Sequence, residues 1–463
     1  MNTEIIKNYY KNRDLRKGAF CKGLKAGKST CCRCKLFAFS NNLKKEERGM
    51  KKAIIFLCVA GLFIFCASPM WAGGIVNKQN LSTEYIGSVN RNAATDSADI
   101  TVFNPAGVMK MENGTYVNLT VMQITKDYSN DIAGYDELEQ DEPSTIPGFF
   151  AVYKQDKWAG FFAVTIPGGG GLVDFAEGSQ TTYDMAMGLI AHPLLPFDTL
   201  DSMELEAESV YTGYTFGGAF EINNMISVSA GLRYIDAFKN IDGTVVLSVG
   251  GLGSTPFNVE VEQEASGWGG FLGVNIAPMD ELNIGVRFET NTKLDFETDL
   301  KNDTIPGGGP YVDGAKERED LPGLLGIGAS YKITPEFKLG FSYTYYLEKS
   351  ADWEGRLKDA GNSWDFALGA DYAFTPALKA SLGFMMTRVS IDTEDLLSEA
   401  PELDANSIAA GLAWNPMEQL TLNFGIIKVM YDSETKVSEA PVPSSAELDK
   451  DSIGIAVGVQ YRF

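Results

Sequence analysis

The final twelve residues alternate without a break. Ile453, Ile455, Val457, Val459, Tyr461 and Phe463 are apolar, and Ser452, Gly454, Ala456, Gly458, Gln460 and Arg462 between them are small or polar. Period two means a strand whose two faces meet different surroundings. The pattern recurs in Leu325, Ile327, Ala329, Tyr331, Ile333, in Ile408, Ala410, Leu412, Trp414, and in Leu282, Ile284, Val286, Phe288. The second face is rich in Gly and Ser and lacks the large side chains of a packed sandwich core. Apolar outside with small or polar inside is what a lipid-embedded barrel requires, so a soluble β-sandwich is the weaker reading. Tyr343, Tyr345, Trp414, Tyr461 and Phe463 near strand ends fit interfacial girdles, although aromatics favour any pleated surface.

Connections alternate in length. Short turns fall at 155–157, 223–224, 278–281, 334–336, 375–376 and 415–418. Long acidic, Gly/Pro-rich stretches fall at about 126–147, 168–203, 240–256, 299–321, 350–362, 393–404 and 433–450. Six turns and seven loops join fourteen strands. Short turns on the periplasmic side and long loops outside are the bacterial outer-membrane pattern. The predicted fold is therefore all-β, a fourteen-stranded antiparallel transmembrane barrel over residues 113–463.

The amino-terminal region is an address. Met50-Lys51-Lys52 precedes the apolar run Ala53–Ala67, then Pro69 and the small residues Ala72-Gly73-Gly74. Residues 50–72 read as a secretory signal peptide cleaved after Ala72. The run is short of the ~20 residues that span a bilayer comfortably. All six cysteines lie at or before Cys66, where Cys31-Cys32-Arg33-Cys34 lacks a second ligand pair for zinc. Residues 1–49 read as a mis-assigned start or a dispensable basic leader.

Charge and composition exclude several functions. Residues 1–52 carry 15 basic against 4 acidic side chains, and the remainder carries 24 against 57. So acidic a body repels phosphates, and no nucleic-acid partner is expected. His192 is the only histidine, which leaves little for a metal site or a Ser/His/acid triad. With no phosphate loop or nucleophile elbow in the mature chain, no catalytic residue, metal or cofactor is expected.

Residues 73–112 do not alternate. Ser82 with Glu84–Ala94 predicts a short helix, and Asn104-Pro105 a turn or helix start. One physical use for some forty ordered-looking residues ahead of a barrel is to fill its lumen. Arg91-Asn-Ala-Ala-Thr-Asp-Ser-Ala-Asp99, followed by Val102-Phe103-Asn104-Pro105-Ala106-Gly107, resembles the hatch of FadL/TodX-type outer-membrane proteins. Those are the transporters of long-chain fatty acids and aromatic hydrocarbons. The likeness continues through Gly267–Asn275, Leu282–Phe288 and Tyr461–Phe463, and covers essentially residues 73–463. It implies a hatch at 73–112, with Asn104, Pro105, Ala106 and Gly107 in the hatch-motif role. It implies an outer-membrane channel of a Gram-negative cell that passively admits hydrophobic small molecules, long-chain fatty acids first and aromatic hydrocarbons as the alternative. A general porin or structural barrel is the remaining rival. The expected partners are that ligand, outer-membrane lipid and lipopolysaccharide, and a monomer is expected.

Three features bear on passage. Strand Trp158–Ile166 ends in Pro167-Gly168-Gly169-Gly170-Gly171, where pairing should fail. Family likeness implies a lateral exit through a kinked strand, and Pro167, Gly168 and Gly169 are candidates for it; alternatively they begin a flexible loop. Met185, Met187, Leu189, Ile190, Leu194, Leu195 and Phe197 form an apolar stretch in an expected outer loop. It is either a ligand-capture surface or a loop folded back over the barrel mouth. Alternation turns Arg233, Arg287, Lys338 and Lys379 inward, and Arg91 lies in the hatch. Arg91, Arg233 and Arg287 are candidate partners for a ligand carboxylate, or pair with luminal acids such as Glu289 and Glu348.

Overall fold

The computed structural model describes residues 81–354, 360–438 and 440–463. The basic leader, the signal peptide, the cysteines and residues 73–80 of the expected hatch lie outside the described residues. Within them, eighteen strand segments form one sheet. They are β1 (Gly114–Ile132), β2 (Glu137–Gln140), β3 (Ser144–Gln155), β4 (Trp158–Phe175), β5 (Thr199–Asn223), β6 (Ile226–Val249), β7 (Leu252–Met279), β8 (Leu282–Glu289) and β9 (Asp295–Asp303). There follow β10 (Lys316–Arg318), β11 (Leu324–Lys332), β12 (Phe337–Tyr346), β13 (Trp364–Thr375), β14 (Leu378–Arg388), β15 (Ala405–Met417), β16 (Leu420–Tyr431), β17 (Glu434–Ser438) and β18 (Ser444–Arg462).

Four staves consist of two segments each. β2 and β3 both pair with β1, β8 and β9 both with β7, β10 and β11 with β9 and β8, and β16 and β17 both with β18. The result is a closed antiparallel barrel of fourteen staves. It shuts where β1 meets β18, from Tyr116↔Arg462 to Ile132↔Ala446.

One inversion of polarity explains both the barrel and its outer end. On β18, Ile453, Ile455 and Val457 are exposed while Gly454, Ala456 and Gly458 are buried inside. Beyond Lys450 the faces swap: Leu448 and Ala446 point inward, and Glu447 and Asp449 outward. β6 does the same, with Leu232 facing out below and Ile235, Val245 and Leu247 fully buried above. The outward apolar stretch on β18, Ile453–Tyr461, spans roughly 27–30 Å along the strand. A tilt of about 40° brings that near the ~25 Å apolar band of outer-membrane barrels. Above the band the barrel is an ordinary soluble sheet with an apolar interior.

The long outer stretches are accordingly not all loops. Residues 240–256 continue β6 and β7 as strands, joined by a turn at Gly250 and Gly251 with φ of +58° and +73°. The left-handed backbone there suits glycine. Residues 180–191 form a helix, α2 (Gln180–Ala191). The sequence pattern misreads this region because it expects lipid-facing polarity where the wall faces water.

Residues 81–112 lie against the inward faces of the staves. The expected helix is shorter than 84–94: α1 spans Thr83–Ile86, with the Ser82 hydroxyl accepting from Tyr85 N at 3.0 Å. It stops because Gly87 is pressed onto the wall; a Cβ there would stand 2.9 Å from Gly411 Cα. Asn104 and Pro105 start a 3-10 turn, Pro105–Lys110, as the sequence suggests.

Candidate functional site

The luminal segment is seated by glycines. Each stave from the seventh to the fourteenth contributes one: Gly285, Gly328, Gly340, Gly369, Gly383, Gly411, Gly425 and Gly458. At every one an added Cβ would come within 3.0 Å of an atom of residues 83–93. Gly285 would strike Asn92 O at 2.1 Å, and Gly383 would strike Ser88 O at 2.1 Å. The Gly-rich inner face noted in the sequence is thus a belt that lets one backbone lie directly on another. Polar side chains complete the seat. Asn92 N donates to the Ser342 hydroxyl oxygen at 3.2 Å, and Ala98 N donates to Gln460 Oε1 at 2.7 Å. Apolar residues Ile86, Ile100, Phe103 and Val108 pack with Phe150, Phe161 and Phe271 of the wall.

The Asn104–Gly107 motif has a geometric reading. Asn104 Nδ2 donates to Ala94 O at 3.0 Å and to Asn275 Oδ1 of β7 at 2.7 Å. Pro105 occupies the first position of the turn, where its missing N–H costs nothing. Ala106 O accepts the Ser227 hydroxyl of β6 at 2.8 Å. A Cβ on Gly107 would lie 2.4 Å from Asn104 Nδ2, so only glycine leaves room for that side chain to fold back.

The inward-facing cations singled out in the sequence are paired. Arg91 is bidentate to Asp99, at 3.0 and 2.6 Å, and reaches Asp96 at 2.9 Å; Asp96 in turn meets Lys379 of β14 at 3.1 Å. Burial works to raise the Asp96 carboxyl, but Arg91 and Lys379 hold it well below the usual carboxylate range. Arg233 and Arg287 share Glu289, at 2.9 and 3.4 Å. Lys338 meets Asp371 at 2.7 Å. Glu84, which the sequence reading passed over, is held by neutral donors. Its Oε1 accepts from Ser97, Asn118 and Asn423 at 2.8, 2.6 and 2.8 Å, while Oε2 is buried with no hydrogen-bond partner among the described residues. Burial, with Asp99 close by, pushes this carboxyl up to about 7.

Two chambers lie above the luminal segment. The inner one, about 160 Å³, is walled by Leu81, Ile86, Met122, Ile124, Met385, Leu403, Ile427 and Val429. Two lysines enter it: Lys126 of β1 and Lys450 of β18. Lys450 Nζ donates to Pro401 O at 3.2 Å and stands 4.8 Å above the rings of both Tyr128 and Tyr431. Three carboxylates also line it. Asp365 accepts from the Tyr346 and Thr387 hydroxyls at 2.6 and 2.7 Å, Glu348 accepts from Ser363 N at 2.6 Å, and Glu402 marks the boundary with the outer chamber. That outer chamber, about 290 Å³, is bounded by Val173, Leu205, Ile241, Trp353, Leu396 and Leu397. Sequence reasoning missed both lysines because each sits in a stretch read as loop. The signal was the alternation running on through Met122, Ile124, Lys126 and Tyr128.

The ladder between the second and third staves breaks off beside these chambers. The β3–β4 ladder runs from Gln155↔Trp158 to Phe149↔Val164 and stops. β4 continues to Phe175 with no ladder partner on that side among the described residues. Its register with β5 slips between Thr165 and Gly168 and again between Gly168 and Gly171. Pro167 lies against Gly213, where an added Cβ would stand 3.0 Å from the Pro167 ring. A Cβ on Gly168 would stand 3.4 Å from Leu321, five staves away, so the strand bends into the lumen. Gly169 has φ +97°, and its Cβ would overlap Ser209 O at 2.3 Å, so glycine alone fits.

The apolar stretch 185–197 is α2 and the turn after it. Ala186 and Leu189 are buried against Ile132, Met203, Val245 and Leu247, and Met185, Met187, Ile190, Leu195 and Phe197 are partly covered by the same cluster. Leu194 alone of the set stands clear, at 85% exposure. His192 caps the helix at the surface, its Nδ1 accepting from Leu194 N at 3.3 Å.

A fourteen-staved barrel with a lipid-facing outside, a threaded lumen and apolar chambers defines an outer-membrane transport protein for hydrophobic small molecules. Residues 208–463, more than half the chain, match the family described as outer membrane protein transport protein (OMPP1/FadL/TodX), and the chain belongs to that family. Among solved structures it is similar to a Pseudomonas aeruginosa FadL homologue, with 15% identity, TM-score 0.65, and coverage of 85% of this chain and 100% of that one. It is similar to the Pseudomonas putida toluene transporter TodX at 12% identity and TM-score 0.60, covering 84% and 99%. The Ralstonia pickettii toluene transporter TbuX follows at 13% identity and 0.57, covering 84% and 99%. At these identities the likeness concerns the fold. No curated protein matches the chain.

Proposed function

We propose that this transporter carries long-chain fatty acids. The observation that supports this most is the inner chamber, where Leu81, Ile86, Met122, Ile124, Ile427 and Val429 meet Lys126 and Lys450, whose charges stand beside Asp365, Glu348 and Glu402. An aliphatic tail gains by leaving water, at about 25 cal/mol per Å² of apolar surface, and a carboxylate gains from a charge-assisted hydrogen bond to an ammonium group. In this reading the apolar surface around α2, with Leu194 outermost, and the outer chamber capture the ligand. The inner chamber aligns it, and the gap after Val164, with Pro167, Gly168 and Gly169 at the bend, releases it sideways into the bilayer. Residues 73–112 are the hatch that closes the pore to ions, pinned by Asn104–Gly107. Arg91, Arg233 and Arg287 serve as fasteners within hatch and wall, since each already holds an acid. One barrel suffices, so the working unit is a monomer.

A second reading, a monoaromatic ligand, draws on the four tyrosines at the same chamber: Tyr85, Tyr128, Tyr346 and Tyr431. Equilibrium binding of oleate and of toluene to the protein extracted from outer membranes decides between them. Saturable oleate binding that falls tenfold or more in Lys450→Met supports the fatty-acid reading. Saturable toluene binding indifferent to that substitution, with weak oleate binding, overturns it.

A further inference from the structure

We propose that Lys126 is a latch across the wall gap, released by the ligand's own carboxylate; the release half rests on the fatty-acid reading above. Lys126 belongs to β1, and the second stave stands between β1 and β4. Its Nζ nevertheless donates to the main-chain carbonyl of Leu172, on the part of β4 beyond the bend. That carbonyl lies where β4 has lost its ladder with the second stave, so an ammonium group from two staves away meets a group the sheet leaves open. The side chain is buried, at 1% exposure, and so its hydrogen bond is shielded from water.

The same ammonium lines the inner chamber beside Lys450. The same group thus reaches a neutral backbone carbonyl on the bent strand and lies within the chamber into which an anionic head group would be brought. A carboxylate is the stronger acceptor. Its arrival draws Lys126 away from Leu172, and β4 from Gly168 to Phe175 loses an inward tie on the side where no ladder replaces it. Binding in the chamber and widening of the exit are thereby one event, as a ligand favouring the open arrangement requires.

The test measures the gap directly. All six cysteines lie at or before Cys66, upstream of the expected cleavage point, so Thr145→Cys and Asp174→Cys place two spin labels on the two lips. Both positions are outside the lumen on staves two and three. The full chain is expressed in a Gram-negative host, extracted from the outer membrane and labelled. Without ligand, Lys126→Met shifts the inter-label distances outward by several ångström and Lys126→Arg leaves them as in the unsubstituted protein. Identical ligand-free distributions in Lys126→Met and the parent overturn the latch, whatever oleate does. In the parent, oleate shifts the distribution and oleyl alcohol, with the same tail and no charge, does not. A parent that binds oleate and shows no shift, or shifts equally with the alcohol, overturns the release step while sparing the fatty-acid reading. Absence of oleate binding sinks the fatty-acid reading and the release step with it. The parent measurement needs no Lys126 variant, so a folding failure of Lys126→Met leaves the release step open to refutation.

Discussion

Replacing Glu84 by Gln should remove a pH dependence from the seating of the luminal segment. The carboxyl lies at about 7 in place, against an ordinary value of 4.5. The folded arrangement thus binds the proton more tightly than a solvated one does. The stabilisation is complete below pH 4.5 and is lost as pH rises from there through 7. Over the whole window the shift corresponds to about 3 kcal/mol, at about 1.4 kcal/mol per unit. Between pH 5 and pH 8 the loss is about 2–3 kcal/mol, roughly a hundredfold in the opening equilibrium. Asp96 contributes nothing over that interval, because Arg91 and Lys379 keep it ionised throughout. Gln keeps the oxygen that accepts from Ser97, Asn118 and Asn423, and places an uncharged NH2 where Oε2 is buried without a partner. The assay is hydrogen exchange of peptides covering residues 83–104 in detergent, corrected for the intrinsic effect of pH. Protection in the parent should fall about a hundredfold from pH 5 to pH 8, and in Glu84→Gln it should stay level. Parallel loss in both proteins would refute the assignment of this proton to Glu84.

Other expectations follow from the seat and the chamber. Gly383→Val drives a side chain into Ser88 O and should cost about 1–3 kcal/mol of seating, read as exchange of residues 83–93; Gly160→Val, with nothing within 4 Å of its Cβ, is the neutral control. Asn104→Ala leaves Ala94 O without its side-chain donor, while Asn275 Oδ1 keeps Asn283, and should cost about 1–3 kcal/mol, read as faster proteolysis after residue 104 with the barrel's heat-modified gel shift unchanged. Lys450→Met should weaken oleate tenfold or more, in line with about 1.5–3 kcal/mol for a charged hydrogen bond, and leave oleyl alcohol binding unchanged.

The barrel was legible because lipid imposes a strict period of two, and β18 and β8 carry it without interruption. The wall's upper third was not, because beyond Lys450 and Tyr234 the same period continues with inside and outside exchanged. Residues 240–256, read as loop, are strand for that reason. The turn that begins at Asn104 and Pro105 could be located from the sequence, but its contacts depend on partners such as Asn275 and Ser227, more than 100 positions away. Glu84 gave no signal at all: one acid in a mixed segment becomes distinctive only once Asn118 and Asn423 converge on it. Pro167 and the glycines after it did mark an irregular strand, since a missing donor and left-handed backbone are written in residue type. Lys126 was hidden by the loop assignment, and its bond to Leu172 is a property of the bend.

The central claim is a hydrophobic channel whose pore the luminal segment keeps shut to ions. The direct measurement reconstitutes the protein from outer membranes into liposomes and planar bilayers, and compares uptake of labelled oleate and toluene with single-channel conductance. Saturable uptake of one of them with negligible steady conductance is the predicted result. Large steady conductance without selective uptake would contradict it and make the protein an open porin.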